Sequence, residues 1–142
     1  MTSLFTIVLL LSQPAPSSLD QIRADANLEH RAKSAIDFAA MAERNAEAAY
    51  SKGDLAATTV DLKTMESAVE IARDAFNQTG KTPQRHAGPY KTAELRTQEM
   101  LIRLNDLEKR MDADERHVLE GPRAKVQEIH DAWFDGIMGK KR

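Results

Sequence analysis

Cysteine is missing altogether from this chain of 142 residues. That excludes disulfides, thiolate metal ligation, thiol catalysis and c-type haem attachment. If the protein is exported, its stability must come from packing alone. Aromatic residues make up only 5% of the chain, and runs of Val, Ile, Thr and Tyr are lacking beyond the first eleven positions. A core built mainly of Ala, Leu, Met and Ile suits helices better than sheets. Neither sign of charge dominates, with 20 basic against 22 acidic side chains and a net charge of −2. The chain as a whole therefore does not advertise nucleic acid or an acidic membrane as its partner. A long hydrophobic run is also lacking. Leu4–Leu11 is apolar except for Thr6, and as helix it spans about 12 Å against a hydrocarbon core of roughly 30 Å.

Several catalytic and ligand motifs are missing too. A dinuclear carboxylate centre in a helical protein needs Glu-x-x-His on two helices, so that both ligands face inward one turn apart. The residues three places before His30, His86, His117 and His130 are Asn27, Pro83, Asp114 and Gln127. No His-x-x-x-His pair exists to hold zinc or haem on one helix, and the histidines read as surface or boundary residues. No serine sits in a G-x-S-x-G elbow. Gly80-Lys81-Thr82 looks like the end of a phosphate loop, but position 75 is Ala and Pro83 follows. Accordingly no catalytic residue, metal or cofactor is assigned.

What is present is helical periodicity. Ala32, Ala35, Ala39, Ala42, Ala46 and Ala49 recur at steps of 3 and 4, which keeps their methyl groups on one side of a helix. Ser18 and Gln21 make a capping-box pattern before this ladder, with Leu19, Ile22 and Ala26 beginning its stripe. The spacing predicts one helix from Ser18 to Ser51 or Lys52. Gly53 suits its C-terminal cap, and Asp54 can cap the next helix. That helix carries Leu55, Thr58, Leu62, Met65, Val69, Ala72 and Phe76, and ends near Gln78 before Gly80. The short connection predicts an antiparallel hairpin, bulky residues against small ones. About ten extra residues in the first helix, roughly 15 Å, would project beyond its partner.

A third helix should open with Pro89 at its first position. Tyr90, Ala93, Thr97, Met100, Leu104, Leu107 and Met111 form its stripe, widened by Leu101 and Ile102. Asp112 and Glu115 have the spacing of a second capping box. The fourth helix contains Gly121-Pro122, which should kink or interrupt it, and presents Val126, Ile129, Trp133 and Ile137. The predicted fold is all-α, an antiparallel four-helix bundle of up-down-up-down order built on the long Ala-rich hairpin. Residues 18–139 form the bundle domain and 140–142 a basic tail.

Residues 1–17 carry no charge, and a small-residue stretch ending Ala15-Pro16-Ser17 follows the apolar run. This resembles a secretory signal peptide, although it has no basic residue near its start. The resemblance implies a periplasmic or secreted protein with no stable membrane span after cleavage. Without such a signal the protein would stay in the cytoplasm. Ala49-Tyr50-Ser51-Lys52-Gly53-Asp54 is similar to the hairpin corner of tetratricopeptide repeats, but no second copy follows about 34 residues later. The likeness marks helical-hairpin chemistry only.

Between residues 80 and 103 bases outnumber acids by three. Lys81, Arg85, His86, Tyr90, Lys91 and Arg96 are the candidate residues for an anionic ligand. Without interleaved aromatics these bases do not signal nucleic acid. Two functions follow as expectations. The first is a non-catalytic interaction or structural module that engages a protein partner or a second copy of itself. The second is a carrier of a small ligand or metal, using the basic region or the bundle interior.

Overall fold

A computed structural model describes residues 18–139. The segment resembling a signal peptide and the basic tail lie outside the described residues. Five helices pack together, α1 Leu19–Arg23, α2 Leu28–Ser51, α3 Leu55–Gln78, α4 Ala87–Arg110 and α5 His117–Ile137, and no strand occurs among the described residues.

The expected long first helix is broken. Ser18 does cap it, accepting from the Gln21 amide, but α1 ends at Arg23 and α2 starts afresh with Asn27 as its cap. The cause is local competition for backbone groups, at which short polar side chains excel. Asp25 Oδ1 accepts from the Asn27 amide, Asn27 Oδ1 accepts from the His30 amide, and Arg31 donates to the Asp25 carbonyl. The break also removes the expected overhang. Both α2 and α3 have 24 residues, while α1 tucks Ile22 into the core at 1% exposure and leaves Ala26 exposed.

The alanine ladder behaves as its spacing implies. Ala32, Ala35, Ala39, Ala42 and Ala46 are buried, and Ala49 is half-buried. Thr58, Leu62, Met65, Val69, Ala72 and Phe76 are buried along α3, and the α2–α3 contact is the most extensive in the molecule. Small residues let two backbones approach; larger neighbours then fill the seam. Each buried Leu, Met or Val contributes about 1.5–3 kcal/mol relative to exposure. The turn between the helices needs Gly53, whose φ of +76° lies in the left-handed region. Asp54 accepts from the Ala57 amide as the cap of α3.

The α2–α4 seam is built differently. Asp37 meets Arg96, Glu43 and Glu47 meet Arg103, and Glu47 also meets Arg110. The two sets ascend together, so α2 and α4 run in the same direction. Helix α5 packs on α4 with the opposite sense, since Glu94 meets His130 while Glu108 meets Arg123. Phe76 of α3 lies edge-on to Trp133 of α5 and stacks on Tyr90 of α4, closing one end of the core.

Four further expectations change. Ile102 is 57% exposed and widens no buried stripe. Pro89 is the third residue of α4, which begins at Ala87. The second capping box does not form: α5 starts at His117 without a side-chain cap, and Glu115 accepts from the Tyr50 hydroxyl instead. Helix α5 also runs through Pro122 without interruption. Gly121 before it has no Cβ to meet the proline ring, which eases the usual clash.

Candidate functional site

The break before α2 and the wide α2–α4 seam create a groove of about 640 Å³. Ile36, Phe76 and Ala93 form its apolar floor, and Pro89 and Thr92 line the α4 side. Asn27, Glu29, His30, Lys33, Asp37 and Arg96 supply its polar lining. The volume lies in the range of small-molecule sites, which combine an apolar bed with a few polar groups.

Each wall has a structural cause. Asn27 and His30 belong to the first turn of α2, placed by the Asp25–Asn27 capping set. The His30 ring hydrogen-bonds the Asp25 carboxylate and so holds its pKa below the usual carboxylate range. Lys81 reaches from the α3–α4 connection to Glu29 at 2.6 Å, and its hydrogen bond lowers the Glu29 pKa in the same way. Arg96 lies 3.3 Å from Asp37. Phe76 is held in the floor by Tyr90, with ring centroids 4.5 Å apart. The Tyr90 hydroxyl donates to the Lys81 carbonyl at 2.8 Å, and burial pushes its pKa up.

The residues named from the basic region therefore fall into different places. Arg96 lines the groove. Tyr90 is buried behind Phe76, and Lys81 ties down the groove's rim through Glu29. Arg85, His86 and Lys91 are exposed and do not line it. The local excess of positive charge is largely spent on α2: Lys81, Arg96 and Arg103 each face an acid there.

Sequence reasoning missed Lys33 and the other α2 residues of the groove. Their signal was faint, since Glu29, Lys33 and Asp37 at i, i+4, i+8 look like an ordinary solvated helix face. Two buried polar sets were missed as well. Glu43 has no exposed surface; burial, and then the charge of Glu47, raise its pKa to about 7. His130 Nε2 lies 3.0 Å from Glu94 Oε1, both side chains nearly buried. Arg96, Arg103 and Arg110 at heptad spacing opposite the acids of α2 could have revealed the polar seam.

Among the described residues, Asp112, Asp114 and Glu115 are close enough to share a cation. They sit in the α4–α5 connection, where the Tyr50 hydroxyl accepts from the Asp112 amide. Among the described residues, the groove itself contains no such cluster. No family model matches the chain, and no curated protein or solved structure matches it.

Proposed function

We propose that the protein is a non-catalytic binder or carrier of small amphipathic molecules, which it takes up in the α2–α4 groove. The observation that carries this reading is one cavity combining an apolar floor of Ile36, Phe76 and Ala93 with a polar rim. The test is NMR shift mapping with two amphiphiles, decanoate and decyltrimethylammonium, each below its micelle threshold. At least one should move the backbone amides of Ile36, Ala93 and Arg96. Thr92→Trp, a change at an exposed groove residue, should block the effect without lowering Tm. Absence of any shift at these amides would overturn the reading.

A second reading, docking of a protein partner or a second copy, is favoured by Leu95 and Ile102. They are 51% and 57% exposed and lie seven residues apart on α4. Light scattering tests the second-copy form; a strict monomer across micromolar concentrations would remove it.

The framework we propose is a four-helix bundle, α2 to α5, of up-down-up-down chain order. The ascending pairs between α2 and α4 and the descending pairs between α4 and α5 support it. We also propose export, on the pattern of residues 1–17, giving a periplasmic or secreted protein. Mass spectrometry of the native N-terminus tests this, and an intact Met1 would refute it. Among the described residues no helix is long and apolar enough to cross a membrane.

A further inference from the structure

The groove's charges cancel in pairs except at one position. Glu29 is matched by Lys81 at 2.6 Å and Asp37 by Arg96 at 3.3 Å, while the His30 ring is engaged in its hydrogen bond with the Asp25 carboxylate. Lys33 lies one turn from both Glu29 and Asp37 along α2, and either acid could have been its partner. Both acids are instead engaged from other elements, by the α3–α4 connection and by α4. Lys33 thus lines the cavity with no ion pair of its own among the described residues. The result is an apolar floor beneath one uncompensated positive charge.

We propose, building on the groove reading above, that the ligand is a small organic monoanion with an apolar body, its acidic group on Lys33 and its body over Ile36, Phe76 and Ala93. A dianion would leave one charge unmatched, because the remaining bases already have acids. A cationic amphiphile would set its charge against Lys33. Arg96 lines the same groove and would lend a second donor, since its ion pair with one oxygen of Asp37 does not use all of its N–H groups. The matching of Glu29 and Asp37 is equally needed, because two free carboxylates flanking Lys33 would repel any anion.

The same two amphiphiles separate this inference from the reading it rests on. Decanoate should bind the full-length protein about tenfold more tightly than decyltrimethylammonium, a factor typical of one charge contact at a partly exposed site. The preference should shrink as salt rises. Lys33→Gln should abolish the preference and Lys33→Glu should reverse it. Tm should hold in both variants, because Lys33 is exposed and supports no packing. If both amphiphiles bind alike, and Lys33→Glu alters neither, the charge assignment falls while the groove reading stands. Preference for the cation would also overturn the assignment. If neither binds, both readings fall together.

Discussion

Arg103 Nε lies 3.1 Å from Glu43 Oε2, while Glu43 Oε1 is buried and accepts no hydrogen bond. A carboxylate half-satisfied in this way is uncomfortable when charged, for burial penalises the anion more than one shared guanidinium repays. Arg103 is indeed shared, since its Nη2 lies 2.9 Å from Glu47. The Glu43 pKa rises from 4.5 in the unfolded chain to about 7 in the folded protein. Its contribution to stability is therefore fully present below pH 4.5 and is lost as pH climbs through 7. The loss should be on the order of 2 kcal/mol, once screening by solvent around Arg103 is allowed for. Glu43→Gln should flatten this slope and match or exceed the parent's stability at pH 8. Urea unfolding at pH 5 and pH 8 measures both. An unchanged slope in the variant would place the titrating group elsewhere.

The α2–α3 seam should resist enlargement. Ala42 is 2% exposed within the alanine ladder, and Ala42→Leu forces extra methyl and methylene groups between two close backbones. The expected cost is about 1–3 kcal/mol in chemical denaturation. Stability equal to the parent's would mean that the seam is loose at this position.

Gly136 illustrates a helix glycine kept for space. On an open helix face, Gly→Ala stabilises by up to ~1 kcal/mol. Here a Cβ would lie 2.8 Å from Pro83 Cγ, and a proline ring cannot swing away. Gly136→Ala should therefore lower Tm, and adding Pro83→Ala should recover much of the loss. A single variant more stable than the parent would show that the α3–α4 connection yields freely.

Glu94 and His130 join α4 to α5 at 3.0 Å in nearly dry surroundings. Removing His130 strands the Glu94 carboxylate, and removing Glu94 leaves the ring only Asp131, 3.1 Å from Nδ1, so His130→Ala and Glu94→Ala should each destabilise by about 1–3 kcal/mol. The double variant should lose less than the two effects added, with a coupling of roughly 0.5–3 kcal/mol. Strict additivity would show that the pair does not act as a unit.

By itself the sequence determined the helical class, the burial of the alanine ladder, the Gly53-Asp54 turn and the extent of α3. These are local matters, since periodicity, caps and glycine stereochemistry act within a few residues of chain. The Asp25–Asn27 break was visible in residue types yet outweighed by the stripe running through it. Only the tertiary structure decided that Lys81, Arg96 and Arg103 spend their charge on α2, that Glu43 is buried, and that Lys33 is left over beside an apolar floor. Whether a charge is free depends on which helix lies across from it and at what register. In this molecule the direction and offset of α4 against α2 set that register, and no stretch of either helix specifies it alone.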